Sequence, residues 1–291
     1  MHGEFIMVTI GIPTYNRKDI LKIMAASLYN SSFDIPHNIR IYDDCSTEYG
    51  KNELREIFPT AVSIKRNEIN LNADKNMYSM YADFLTTGDD YFFNADSDII
   101  FNSQWLNISM ELLKKTGIGG GVLSVFNANS HPTSKIIDRD LCIKETVGAA
   151  GTLFARNRLA ELLNHFDSIE YGEKSFDWKW SEYFTSKGIP IYCVNNSLVQ
   201  HIGYDGQNSN LYFDFGKNYK VGTIEEGQII NDIFEKYADD LRNKIITKHN
   251  ELANNLGYHI KRCLIIIVKR LLPKKVFETM KSWIRSSKYD K

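Results

Sequence analysis

Short apolar runs alternate with amphipathic segments over the first hundred residues. Residues 7–12 form a β-branched run that ends at Pro13, and apolar residues at helical spacing follow it. The same pattern predicts strands at 39–42, 61–64 and 90–93 and helices near 51–57 and 73–85. Strands that alternate with helices indicate a largely parallel sheet that is covered on both faces.

The pattern becomes less regular beyond residue 100. It predicts a helix near 103–115 and then strands near 121–126 and 143–154, which favours a mixed sheet in this half. The remaining predicted elements are helices near 157–165 and 176–187, a strand at 189–194 and a long polar helix from about 224 to 255. The predicted fold class is therefore α/β, a Rossmann-like mixed central sheet with helices on both faces and a C-terminal helical extension.

The C-terminal segment differs from the rest of the chain in charge. Residues 261–291 carry ten basic and two acidic residues, a net +8, whereas residues 1–260 carry a net −9. Apolar residues lie on one helical face before Pro273 and on a second face after it, around Trp283. Basic amphipathic helices of this kind bind anionic membrane surfaces. A helix docked on the body of the protein or on a second copy explains the same pattern, and both interpretations stay open.

Composition and charge exclude several classes of function. The formal net charge of −1 lacks the basic footprint of a nucleic-acid-binding protein. The four cysteines are scattered without the spacing of a zinc site or a disulfide framework, so we expect a reducing compartment. The N-terminus has no signal-peptide pattern, and the longest late apolar run is too short to span a bilayer. A cytoplasmic protein, peripheral on the inner face of the cell membrane, is expected.

Polar clusters follow the predicted strands at their carboxyl ends, where ligands bind in open α/β sheets. Asp96 and Asp98 follow one such apolar strand and flank Ser97. Two carboxylates this close repel each other unless a cation or hydrogen-bond donors compensate them. Mg²⁺ and Mn²⁺ take carboxylate oxygens together with substrate phosphates, which points to a nucleoside diphosphate.

Six segments together resemble one enzyme family. They read VTIGIPTYNR at 8–17, IYDDCST at 41–47, FNADSD at 93–98, GAAGTLF at 148–154, FDW at 176–178 and VQHIG at 199–203. Their sequence and order resemble family 2 glycosyltransferases with the GT-A fold. The resemblance covers roughly the first two-thirds of the chain. It implies a catalytic domain at 1–210, divided near residue 100 into a nucleotide-sugar half and an acceptor half, and a C-terminal helical region at 211–291.

The resemblance implies a nucleotide site in the first half of the chain. The nucleotide-sugar would contact Pro13, Tyr15, Arg17, Asp43, Asp44, Lys75, Asp96 and Ser97. An aspartate such as Asp44 can accept the N3–H of uracil, and Tyr15 offers a ring to stack on it. Alternatives are that Tyr15 covers the sheet edge and that the two aspartates at 43–44 are turn residues. Lys75 stands where the family often has arginine, so it lacks the bidentate fork, and a solvated helix lysine is the alternative.

The resemblance also implies a metal site for Mn²⁺ or Mg²⁺. Asp98 would bind the metal directly, and Asp96 would hold the ribose or reach the metal through water. His201 would supply a neutral imidazole nitrogen. A lone histidine after an apolar strand is otherwise more often structural.

The acceptor side follows from the later motifs. Asp177 is the candidate general base, because three aromatic residues around it should raise its pKa. Phe176 replaces the usual glutamate and removes one acceptor-binding carboxylate. Trp178, Trp180 and Gly151 are the candidate acceptor-binding residues. The alternative is that both tryptophans are core and that Asp177 is a helix N-cap.

These residues predict an inverting, metal-dependent transfer of a sugar, with a UDP-sugar as the expected donor, to a glycan or lipid-linked acceptor in surface-polysaccharide synthesis. A nucleotidyltransferase and a non-catalytic nucleotide- or glycan-binding module are the alternatives. The sequence leaves open the donor sugar, the acceptor linkage, the preferred metal and whether the chain forms a homo-oligomer.

Overall fold

The computed structural model describes residues 6–166, 175–204 and 214–271. The chain divides into two compact units, Met1–Phe234 and Glu235–Lys291. The strands in the described residues are β1 (Val8–Thr14), β2 (His37–Asp43), β3 (Ser63–Arg66), β4 (Tyr91–Asn94), β5 (Ile99–Phe101), β6 (Val122–Ser124), β7 (Thr133–Ile136), β8 (Leu141–Lys144), β9 (Thr152–Ala155), β10 (Ile191–Val194) and β11 (Val199–His201). The helices are α1 (Lys18–Tyr29), α2 (Lys51–Ile57), α3 (Asn72–Phe84), α4 (Trp105–Thr116), α5 (Arg156–His165), α6 (Phe176–Ser186) and α7 (Ile224–Leu271).

The first unit is built on a nine-stranded sheet in the order β3-β2-β1-β4-β9-β6-β10-β8-β7. Strands β1 to β4 pair in parallel, as expected from alternating strands and helices. From β9 onward the pairing is mostly antiparallel, with β6 and β10 as a parallel pair. Strands β5 and β11 form a separate two-stranded sheet. The predicted α/β class, with a mixed central sheet and a C-terminal helix, is confirmed.

Two apolar clusters cover the sheet. One cluster takes side chains from α1, α2 and α4, and the other takes them from α3, α5 and α6. Strand β1 contributes to the first cluster through residues that are fully buried, because a central parallel strand is covered on both faces. The helices thus fix the carboxyl ends of β1, β2 and β4 against a rigid core.

Three elements differ from the sequence prediction. The strand predicted at 143–154 is two strands, β8 and β9, and the turn before β9 contains Gly151 with a left-handed φ of 69°. Strands β5, β7 and β11 were not predicted, since three or four residues are too few to show a period. Helix α7 continues to Leu271 instead of ending near 255.

The predicted second amphipathic stripe, around Trp283, lies outside the described residues. The helices that the structure describes include none long and apolar enough to cross a membrane.

Candidate active site

A cavity of about 610 Å³ lies beyond the carboxyl ends of β1, β2 and β4. We call it the donor cavity. It is lined by Pro13, Thr14, Tyr15, Asn16, Arg17, Asp44, Asn70, Asn72, Ala73, Asn76, Met77, Asp96, Ser97, Asp98, His201 and Gly203. Its volume is in the range of small-molecule binding sites, and its position is the usual ligand crevice of an open α/β sheet.

The two adjacent aspartates after β2 have different surroundings. Asp44 lines the cavity, and its Oδ1 accepts hydrogen bonds from Asn67 Nδ2 at 2.9 Å and Leu71 N at 2.7 Å. Asp43 is fully buried and pairs with Ser46 and Arg66. Burial raises the pKa of Asp43, against the lowering effects of these two partners. Asp44 is therefore available to a ligand, whereas Asp43 holds the turn.

The loop after β1 is pinned in an uncommon conformation. Asn16 and Arg17 have left-handed φ values of 51° and 58°. Asparagine tolerates this backbone region. In general, a left-handed non-glycine residue raises the free energy of the folded state by about 1–3 kcal/mol, so contacts with its surroundings must hold it there. Here Asn16 N donates to Ser46 Oγ at 2.8 Å, and Asn16 Oδ1 accepts from Thr47 N at 2.7 Å. The loop places the Arg17 guanidinium in the cavity.

Asp98 lies between two cationic groups. Its Oδ2 accepts from Arg17 Nη1 at 2.9 Å, and its Oδ1 lies 3.1 Å from His201 Nε2. Antiparallel pairing of β11 with β5 sets His201 opposite Ile99 and thereby brings the imidazole to Asp98. Gly203 permits this packing, because a Cβ there would lie 1.9 Å from Asp98 Oδ2.

The electrostatics of this group follow from burial and charge. Burial opposes ionisation of Asp98, but His201 and then Arg17 outweigh it and hold the pKa of Asp98 well below its usual range. Burial likewise opposes the imidazolium, yet Asp98 raises the pKa of His201. For Asp96, burial and then the charge of Asp98 raise the pKa to about 7. Of the two carboxylates, Asp98 is therefore the one that stays ionised.

The donor atoms at this position suit a divalent cation chemically, since they are two carboxylates and an imidazole. In the part of the chain that the structure describes, no three histidine, cysteine or acidic side chains are grouped to hold a metal ion. Arg17 and His201 compensate the charge of Asp98 instead. The metal triad predicted from the sequence therefore shares one cavity without forming a coordination cluster.

Asp177 lies in the first turn of α6 and is half-buried. Its Oδ1 accepts from the Ser175 hydroxyl and from Trp178 N at 2.8 Å. Burial raises the pKa of Asp177, and the charge of Asp74 adds to the effect. Asp74 itself accepts from Phe176 N at 3.1 Å and so fastens the start of α6 to α3. Ser175, not Asp177, is the N-cap residue.

The profile of the Glycosyl transferase family 2 matches residues 9–170, more than half of the chain. The chain belongs to glycosyl transferase family 2. The resemblance drawn from the sequence motifs is confirmed. No curated protein matches the chain at a significant level.

Solved structures of S. aureus TarS are similar to this family 2 chain. TarS 1-349 aligns with a TM-score of 0.47 and 15% identity over 67% of this chain and 60% of its own. TarS 1-349 in complex with UDP-GlcNAc aligns with a TM-score of 0.48 and 16% identity over 67% of this chain and 58% of its own. A longer TarS chain aligns with a TM-score of 0.49 and 14% identity over 67% of this chain and 36% of its own. This chain therefore covers about 60% of TarS 1-349 and 36% of the longer TarS chain.

Most donor-side residues of this family 2 chain that the sequence singled out do line the cavity: Pro13, Tyr15, Arg17, Asp44, Asp96, Ser97, Asp98 and His201. Two do not. Asp43 is a buried turn residue, which was the alternative interpretation from the sequence. Lys75 is exposed on α3 and lies outside the cavity lining.

The acceptor-side residues are divided between surface and core. Trp178 is 40% exposed, whereas Trp180 is fully buried and packs edge-to-face on Phe154 at a centroid distance of 5.2 Å. Trp180 is therefore a core side chain and offers no face to an acceptor. Gly151 is also buried, and a Cβ there would lie 3.0 Å from Val199 Cγ2. Gly151 therefore forms a turn between packed strands. The prediction that Trp180 and Gly151 bind the acceptor is thus corrected.

The structure also reveals residues that the sequence reasoning missed. Asp74 fastens α6, and Asn76 lines the donor cavity. His131 lies near Asp177, since Nε2 of the one and Oδ2 of the other both lie within 4 Å of the position that a Cβ on Gly148 would take. No sequence signal pointed to His131, because it belongs to no motif and precedes an exposed strand. For Asp74 and Asn76, the signal was their position in the predicted helix after β3.

Proposed function

We propose that this family 2 chain transfers a sugar from a nucleoside diphosphate, of which UDP is the preferred choice, to a hydroxyl group of a glycan acceptor with inversion at the anomeric carbon. One observation carries the proposal. The donor cavity unites Tyr15, Asp44, Arg17 and Asp98 at the carboxyl ends of the parallel strands.

The base would bind between the loop after β1 and the turn after β2. Both hydrogen bonds to Asp44 end on Oδ1, so Oδ2 is the oxygen that can accept the N3–H of uracil. Tyr15 is half-buried in the same wall and offers its ring for stacking on the base. These two interactions favour a pyrimidine with an N–H donor.

The diphosphate would bind near Arg17 and the acidic pair. Arg17 supplies a guanidinium that suits phosphate oxygens. A divalent cation, Mn²⁺ or Mg²⁺, would be held by Asp98 and His201, with Asp96 as a direct or water-mediated partner. When bound, it would neutralise charge on the leaving diphosphate.

Asp177 would act as the general base. The acceptor hydroxyl gives its proton to the carboxylate, its oxygen forms a bond to the anomeric carbon, and the bond from that carbon to the diphosphate oxygen breaks. UDP leaves on the face opposite the incoming oxygen, so one displacement inverts the centre. The raised pKa of Asp177 makes it a better proton acceptor than an ordinary aspartate.

The setting of the reaction is also proposed. The basic C-terminal segment would attach the protein to the cytoplasmic face of the cell membrane, where a lipid-linked oligosaccharide would be the acceptor in surface-polysaccharide synthesis. We keep the catalytic domain at 1–210 and the helical region at 211–291 as the proposed division.

A truncated chain that ends at residue 255 should lose binding to vesicles containing anionic lipids. Binding equal to that of the full chain would contradict the membrane role.

The test combines a donor panel with one variant. UDP-sugars, first among them the UDP-GlcNAc bound in the TarS complex, are incubated with Mn²⁺ and p-nitrophenyl glycosides, and UDP release is measured. Asp177→Asn should lower transfer by about 10²–10⁴-fold and leave UDP affinity unchanged. Full turnover by the variant would exclude Asp177 as the base. Release of pyrophosphate from UTP in a parallel incubation with a sugar 1-phosphate would support a nucleotidyltransferase, and UDP binding without turnover would support a binding module.

A further inference from the structure

Two loops, one with His131 and one with Gly148, meet beside Asp177 of α6. A methyl group on Gly148 would lie 3.6 Å from His131 Nε2 and 3.9 Å from Asp177 Oδ2. Both polar atoms therefore flank the same small space, which the absent side chain of Gly148 leaves open. Gly148 is half-exposed, so this space can be reached from solvent. A hydroxyl group that approaches Gly148 from this side would therefore meet both polar atoms.

The position of His131 is fixed by its neighbours. Its Nδ1 shares a hydrogen bond of 2.9 Å with the Thr146 hydroxyl, and its Nε2 faces Gly148. Lys144 is buried, and its Nζ donates to the backbone oxygens of His131 at 2.6 Å and of Ala128 at 3.0 Å. A buried ammonium bound to two carbonyl groups holds this loop firmly, which is what a binding residue on a loop requires.

The Gly148 backbone is held as well. The Ser181 hydroxyl on α6 bonds both backbone polar atoms of Val147, at 3.3 Å to the nitrogen and 3.2 Å to the oxygen. Thr152 Oγ1 donates to Gly148 O at 2.9 Å. The loop that carries Gly148 is thus attached to the same helix that carries Asp177.

Trp178 completes the surroundings. Its ring is 40% exposed and lies 5.6 Å from the ring of His131, centroid to centroid. Exposed aromatic faces of this kind stack on the apolar C–H faces of sugar rings. The His131 ring lies beside both Trp178 and Asp177, so a sugar stacked on Trp178 would have its hydroxyl groups near the carboxylate.

We propose that His131, Gly148 and Trp178 form an acceptor cluster with Asp177, in which His131 Nε2 hydrogen-bonds the same sugar hydroxyl whose proton Asp177 removes. The inference rests on the proposed sugar transfer and adds the residues that select the acceptor. Burial lowers the pKa of His131, so the ring is neutral and has one N–H. With the Thr146 hydroxyl donating to Nδ1, Nε2 carries that N–H and donates to the oxygen of the sugar hydroxyl. An acceptor that carries a free hydroxyl on a pyranose ring is the class that fits.

Two variants separate this role from a purely structural one. Gly148→Ala adds a methyl at ordinary contact distances, so the protein should fold normally while the hydroxyl space is filled. We expect at least a tenfold rise in KM for p-nitrophenyl glycosides, with UDP affinity unchanged. Gly120→Ala is the matched control, because its methyl would meet Asn157 Nδ2 at a similar 3.5 Å away from the site. It should behave as wild type.

The conservative pair at His131 gives a second readout. Asn can replace the Nδ1 contact to Thr146 but does not reach the Nε2 position, whereas Gln places an amide near Nε2. His131→Asn should raise acceptor KM at least tenfold, and His131→Gln should recover most of the loss. If His131→Asn and Gly148→Ala keep the wild-type acceptor KM while Asp177→Asn is inactive, the acceptor cluster is refuted and the proposed transfer stands.

Absence of transfer by the wild type would instead refute the proposed function. Calorimetry of the same p-nitrophenyl glycosides with UDP-loaded protein then tests the cluster by itself. Glycoside binding that Gly148→Ala weakens tenfold and Gly120→Ala leaves unchanged would support it. Binding that neither variant alters, or no binding to the wild type, would overturn it.

Discussion

The donor cavity and the acceptor cluster are assembled in different ways. The donor cavity collects side chains from the ends of adjacent parallel strands, so neighbouring motifs converge through the sheet itself. The acceptor cluster joins His131, Gly148 and Asp177, which three separate segments supply. Donor binding thus depends on the common architecture of the sheet, whereas acceptor binding depends on loops whose sequence can change without disturbing the core.

The two tryptophans of α6 give the largest expected difference between core and acceptor cluster. Trp180→Ala should lower the free energy of unfolding by about 3–5 kcal/mol, because it removes a fully buried ring. Trp178→Ala should lower the free energy of unfolding by only about 1 kcal/mol, since the ring is 40% exposed, and should raise acceptor KM. Urea unfolding and acceptor kinetics measure both. A stability loss of equal size in the two variants would contradict this division.

Gly203→Ala should damage the donor cavity alone. Its Cβ would lie 1.9 Å from Asp98 Oδ2 and 2.7 Å from Arg17 Nη2, so the Asp98–Arg17 pair must move. We expect UDP affinity to fall by about 100-fold, or about 2.7 kcal/mol, as measured by calorimetry. Gly88→Ala is the control, since its Cβ has no neighbour within 4 Å. Unchanged UDP affinity in Gly203→Ala would show that this pair does not bind the nucleotide.

Asp177→Asn should raise the stability of the folded protein near neutral pH, because the ionised Asp177 carboxylate lowers it. The pKa of Asp177 is raised in the folded protein, so its ionisation favours the unfolded state, and stability falls as pH rises from the unfolded-state pKa through the folded one. The inactive variant should therefore have a higher Tm than wild type at pH 7, and the difference should disappear near pH 3. Calorimetric scans at both pH values test the sign. A lower Tm of the variant at pH 7 would contradict it.

Lys75→Met gives the smallest expected effect. The lysine is exposed and lies outside the cavity lining. UDP affinity should change by less than about twofold, well under 1 kcal/mol. A larger loss would return Lys75 to the donor site and extend that site along α3.

The sequence by itself determined the α/β class and the place of the donor cavity. Apolar runs and helical periods report local burial, and the loop motifs after β1, β2 and β4 must meet because parallel strands end at one edge. Only the tertiary structure decided which of the adjacent residues Asp43 and Asp44 faces the cavity. It also decided that Trp180 is core and that His131 lies beside Asp177. Pairing of very short strands and packing of distant loops depend on contacts between residues far apart in the chain. A local sequence pattern does not reveal such contacts.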